Sequence, residues 1–159
     1  MKSKFLFFSL VLALAILTAC GNDVPHETLP PWDATVFRST MEAEGYEVYD
    51  LIAERGEESF AQNHLLVDGI NYHFEFAEVD TADRAIYAFD SRRAILESTR
   101  MTELQDYFVE EHSGANYSFF QQQSSSTFLY LHRIDNTLLY VSAHVQYLEY
   151  VESLIDKIR

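Results

Sequence analysis

Residues 63–76 read NHLLVDGINYHFEF, and their punctuation decides how the rest of the chain is read. Asp68-Gly69 separates two runs that alternate apolar and polar residues, and a two-residue Asp-Gly link of this kind is the strongest local signal for a β-hairpin. Such a turn pairs Val67 with Ile70, Leu66 with Asn71, Leu65 with Tyr72 and His64 with His73. Ile70, Tyr72, Phe74 and Phe76 then share a face with Leu65 and Val67, and that face is predicted to enter the core. The other face carries His64, His73 and Glu75. Directly opposed residues place their Cβ atoms about 5 Å apart, so two imidazoles stand together with a carboxylate beside them. This is the start of a divalent metal site, provided a fourth ligand and supporting hydrogen bonds complete it. The competing reading is a solvent-facing polar strand with no ligand.

The flanking sequence alternates between the two periods of regular structure. Asp33 is placed to cap a helix over about Ala34 to Glu44, with Val36, Phe37 and Met41 on one face and Gly45 as its stop. GYEVYDLIA then alternates like a half-buried strand, and ERGEESFA reads as an exposed acidic loop. Asp80 and Thr81 precede a helix predicted to reach the neighbourhood of Thr99, with Asp83 set against its dipole. MTELQDYFVEEH adds a second helical piece, with Met101, Leu104 and Phe108 in register. From Asn116 the period returns to two: YSFFQQQ, STFLYLHRI and TLLYVSAHV are predicted strands, the last two joined at Asp135-Asn136. Tyr147, Val151, Leu154 and Ile158 form the stripe of a C-terminal helix.

The predicted fold class is α+β: one domain over residues 33–159, order α-βββ-α-βββ-α, with helices packed on one face of a largely antiparallel sheet. VDGINYHFEF and IDNTLLYVSA superpose, Tyr72, Phe74 and Phe76 matching Leu139, Val141 and Ala143. They read either as a pseudo-duplicated αβββ unit or as the ordinary likeness of two hairpins.

Residues 1–19 carry Lys2 and Lys4 before an apolar run from Phe5 to Leu17, the pattern of an export signal and too short to span a bilayer comfortably. Leu17, Thr18, Ala19 and Cys20 resemble the lipobox of bacterial lipoproteins. The resemblance implies cleavage before Cys20 and a diacylglycerol group on its thiol, which is the only cysteine of the 159 residues. Burial of acyl chains is worth about 0.8 kcal/mol per methylene, so two chains hold a protein firmly to a membrane. Residues 20–32, with three prolines, read as a tether. Removal of the signal takes two of the 11 basic residues and none of the 25 acidic ones, moving the net charge from −14 to −16. That charge disfavours nucleic acid as a partner and favours a domain held off anionic lipid.

No Gly-x-Ser-x-Gly elbow frames the serines of QQQSSS, and five glycines form no phosphate loop. No catalytic residue is assigned. His132 is expected to be a semi-buried, hydrogen-bonded residue beside Phe128, Tyr130 and Ile134, with His144 on the opposite face and His26 and His112 in loops. Glu57, Glu58, Glu110 and Glu111 are expected on a solvated surface. Tyr49, Tyr87, Tyr140 and Tyr150 fall opposite the apolar stripes, as a recognition face would require, or as rings of a sheet covered on both sides. GYEVYD, the Asp-Thr-Ala-Asp-Arg-Ala helix start and RIDNTLLYVSA are similar to segments of small lipoproteins of Gram-positive bacteria, a resemblance that implies architecture and no activity. The functional expectation is an extracytoplasmic, membrane-anchored binding module, non-enzymatic, whose partner is an envelope protein or a cell-wall ligand. Two alternatives stand beside it: a metal-dependent envelope hydrolase using His64, His73 and Glu75, and a structural accessory of a membrane complex.

Overall fold

The computed structural model describes residues 27–55, 61–98 and 108–159. The signal, Cys20, His26, Glu57, Glu58, Met101 and Leu104 lie outside the described residues. Helix α1 (Ala34–Ala43) begins where expected: Asp33 Oδ1 accepts from the backbone N–H groups of Thr35 at 2.7 Å and Val36 at 3.1 Å. It ends in a Schellman turn. Gly45 takes φ +87, its N–H donates to the Glu42 carbonyl, and the Tyr46 N–H donates to that of Met41. The packed body starts before the cap, because Leu29 exchanges hydrogen bonds with the Asn116 side chain and Trp32 is only 6% exposed.

The predicted strand over GYEVYDLIA shortens to β1 (Tyr49–Asp50), followed at once by a short helix α2 (Leu51–Arg55). The Asp50 carboxylate is the cause: it accepts from the Ile52 and Ala53 N–H groups, offering the backbone a helix start in place of a ladder. Strands β2 (Ala61–Asp68) and β3 (Tyr72–Val79) form the hairpin, but with a different register from the one predicted. The last pair is Asp68 with His73, and His64 lies opposite Ala77. The turn is longer than Asp-Gly, closed by Gly69 N–H to the Tyr72 carbonyl at 2.9 Å, and Ile70, expected in the core, sits at its tip fully exposed. The Tyr72 ring lies so close over Gly69 that a Cβ there would be 2.7 Å from it. Tertiary contacts hold this wider turn: Asn71 accepts from the His144 N–H and donates to the Tyr147 hydroxyl. A shift of four preserves parity, so Leu65, Val67, Phe74 and Phe76 still enter the core.

Helix α3 (Ala82–Ser98) follows, with Thr81 Oγ1 accepting from the Arg84 N–H. Phe108, expected on a helix, instead opens strand β4 (Phe108–Ser113), which pairs antiparallel with β5 (Tyr117–Gln123) at the edge of the sheet. Pairing with a neighbour outweighs the helical spacing of its apolar residues. Strands β6 (Thr127–Ile134) and β7 (Thr137–His144), a 3-10 turn and helix α4 (Leu148–Ile158) complete the chain. The seven strands form one antiparallel sheet in the order β1-β2-β3-β7-β6-β5-β4. Among the described residues the order is therefore α-β-α-β-β-α-β-β-β-β-α, where α-βββ-α-βββ-α was expected.

The helices cover both faces, where one was expected. On the first face α1 and α4 lay Phe37, Met41, Val151 and Leu154 over Phe74, Leu139 and Val141. On the second, α3 lays Ala85, Phe89 and Leu96 over Phe120, Leu131 and Leu138. The physical reason is visible in β6 and β7, whose side chains are apolar on both sides and cannot leave either in water. Phe74→Ala is expected to cost about 3–5 kcal/mol by opening a central cavity, and Asp33→Ala about 1 kcal/mol through loss of the cap. Urea denaturation followed by far-ultraviolet circular dichroism checks both.

Candidate functional site

The three residues singled out for metal do converge. His64, His73 and Glu75 lie on one face, and the His64 Nε2 is 2.9 Å from Glu75 Oε1, with His73 Nε2 at 3.8 Å from Oε2. The imidazoles are not directly opposed; Glu75 stands diagonally between them because of the register shift. Oε2 is already engaged by Arg92 of α3, whose guanidinium donates at 2.7 Å. The same guanidinium covers the Tyr140 ring at 4.6 Å, and His73 Nδ1 reaches Asp68 at 3.5 Å. A divalent ion here would have to displace Arg92. Among the described residues no group of three or more His, Cys, Asp or Glu side chains is disposed around a common metal position.

The electrostatics are those of a closed ion-pair network. Burial pushes the Glu75 carboxyl up, but hydrogen bonds from His64 and His73 and the Arg92 charge outweigh it and hold the group well below the usual carboxylate range. Its hydrogen bond to His73 raises that imidazole against the effect of burial. Glu75 is thus held ionised, which suits a structural hub and not a general acid.

A second site was not assembled from the sequence. Between α4 and the β4–β6 end of the sheet lies a groove of about 710 Å³, one end of which is formed by residues 27–30. It exists because α1 and α4 leave the outer strands uncovered on that face. Its walls include Tyr117, Phe119 and Phe128, its rim Glu152, Asp156 and Arg159, and its lining reaches His132. His132 is 2% exposed and sits edge-on to four rings, those of Trp32, Tyr117, Phe119 and Tyr130, at 5.4 to 5.9 Å. Its Nδ1 is 3.0 Å from the Tyr130 hydroxyl, while Nε2 is buried with no partner. Burial first, and then the charges of Arg159, His112 and Arg133, push the imidazole down to about 3, so it is neutral. Burial likewise raises the Tyr130 hydroxyl, which keeps its proton. The sequence placed His132 correctly beside Phe128, Tyr130 and Ile134; alternation along β6 shows that much. What it missed was the partner strand and helix that turn this face into a groove.

The remaining candidates are dispersed. Tyr49 donates to Glu47, Tyr87 faces solvent on α3, Tyr140 lies under Arg92, and Tyr150 joins the hydroxyls of Tyr46 and Tyr72 on the α4 side. They do not make one recognition face. His144 Nδ1 accepts from the Gln146 N–H and caps the 3-10 turn, and His112, on β4 and not in a loop, stacks on Phe119 at 4.4 Å. Ser124 Oγ accepts from the Ser126 and Thr127 N–H groups within the β5–β6 turn. Glu111 pairs with Arg93 at 2.7 Å. Compared with protein-family models, with curated proteins and with solved structures, the chain matches none.

Glu75→Gln is expected to destabilise the fold by about 2 kcal/mol near neutral pH, the scale of a charged, partly buried hydrogen-bond hub. The depressed Glu75 contributes stability above its unfolded value of 4.5, lost as pH falls through its folded value; the raised His73 contributes below its unfolded value of 6.5, lost as pH rises through its folded value. The gap between parent and variant should therefore be widest from about 4.5 to 6.5 and narrow on both sides, as urea midpoints over a pH series will show.

Proposed function

We propose that this chain is an extracytoplasmic bacterial lipoprotein, anchored through diacylglycerol on Cys20, that works as a non-enzymatic binding module through the groove beside α4. The anchoring half rests on the order of Lys2, Lys4, the apolar run and Leu17-Thr18-Ala19-Cys20. The binding half rests on one observation: an aromatic-walled groove whose lining includes a buried imidazole nitrogen without a partner. A cavity of this size with a few polar groups is what small-ligand sites look like. An imidazole pushed down to about 3 is too weak a base for proton transfer near neutrality, which favours binding over catalysis. The hydrolase alternative is weakened by Arg92 on Glu75.

The run from Cys20 to Glu27 reaches about 25 Å at full extension, which bounds how far the first described residue can stand from the anchor. The pseudo-duplication is supported by the central register, in which Phe74 opposes Val141 while Tyr72 opposes Ala143 and Phe76 opposes Leu139. That is the pairing a two-fold axis through the sheet would produce. The placement of α3 on the other face from α1 departs from such a repeat.

The anchor is tested by detergent phase partition and mass spectrometry of the chain expressed in a bacterium. The native chain should partition with detergent and begin at an acylated Cys20, and Cys20→Ala should stay in the aqueous phase. An unmodified Cys20, or residues 1–19 still attached to the membrane-extracted protein, overturns it.

A further inference from the structure

We propose that the groove takes an uncharged saccharide, one of whose hydroxyls pairs with His132 Nε2 as donor or as acceptor. This rests on the binding reading above but not on the lipid anchor. The neutral ring shares a hydrogen bond with the Tyr130 hydroxyl through Nδ1, and either tautomer that makes it leaves Nε2, as donor or as acceptor, without a partner in the protein. Leaving a buried polar group unpaired costs about 1–3 kcal/mol, and such a group on a residue that lines a groove calls for a partner from outside the chain.

The rim decides the charge of what brings it. Glu27, Glu152 and Asp156 present carboxylates and Arg159 a guanidinium, all lining the same groove. An anion is drawn by Arg159 but opposed by three carboxylates and by the net charge of −14. A cation is drawn by the carboxylates but meets the positive charge of Arg159. A purely apolar ligand would strip water from the rim carboxylates and leave Nε2 unpaired. A hydroxyl both donates and accepts: it can donate to a rim carboxylate, accept from Arg159, and pair with His132 Nε2 in either tautomer. The C–H faces of a sugar ring pack on aromatic side chains such as Tyr117 and Phe119, whose rings are large and apolar.

The full chain in detergent is titrated with three neutral probes, chitotriose, cellotriose and maltotriose, and with two charged ones, trilysine and a triglucuronate. Emission of Trp32, the only tryptophan, reports on the ring 5.4 Å from His132, and calorimetry gives an independent heat. A saturable response to a neutral trisaccharide, weakened about tenfold by His132→Phe through the lost hydrogen bond, supports the assignment. Glu152→Gln, on the exposed side of α4, should weaken it as well and does not touch the core. Sugar binding unchanged in both variants overturns the groove assignment. Tighter binding of a charged probe overturns the ligand class while leaving a binding groove in place. No response to any of the five overturns the class and the binding reading together.

Discussion

Strands β6 and β7 are apolar on both sides, and the architecture follows from the need to keep both of those sides out of water. Leu139 and Val141 point one way, Leu131 and Leu138 the other, so a single layer of helices cannot shield them. Helices α1 and α4 close the first side and α3 the second. The cover is complete over the centre of the sheet and incomplete toward β4 and β5 on the first side. The groove is the consequence of that mismatch between sheet width and helix cover.

The two histidine-bearing sites show how environment assigns different roles to the same side chain. His73 and His64 surround an ionised Glu75 that is also tied to Arg92, and the negative partner favours a charged imidazole at His73. His132 meets four rings and no carboxylate partner, so burial dominates and the ring stays neutral. In the first arrangement the hydrogen bonds run between residues of the chain and tie α3 to the β2–β3 hairpin. The second keeps an unpaired ring nitrogen on a residue that lines a groove.

Where the reading of sequence and structure part, the reason is a long-range contact. The cap at Asp33, the stop at Gly45 and the stripe of α4 depend on residues within one or two turns and are legible directly. The hairpin at Asp68-Gly69 is legible in existence and face, because alternation survives an even shift, but not in register. That was set by Asn71 bonding to His144 and Tyr147, residues more than seventy positions away. The strand at Phe108–Ser113 likewise exists because β5 offers it a ladder, against the helical spacing of its own apolar residues. His64, His73 and Glu75 share a face as their alternation implies, but His64 lies opposite Ala77 and not His73, and the Arg92 that holds Glu75 comes from another element.

The amino-acid sequence by itself determined the helix cap at Asp33 and stop at Gly45, the periodicity of the central strands and of the helices α1, α3 and α4, the acidic charge and the lipobox-like segment, since each resides in neighbouring residues. Tertiary structure alone decided which strands adjoin, that helices cover both faces, and that His132 borders a groove with one nitrogen unpaired. Those outcomes depend on which distant surfaces meet, and burial of apolar area is indifferent to separation along the chain.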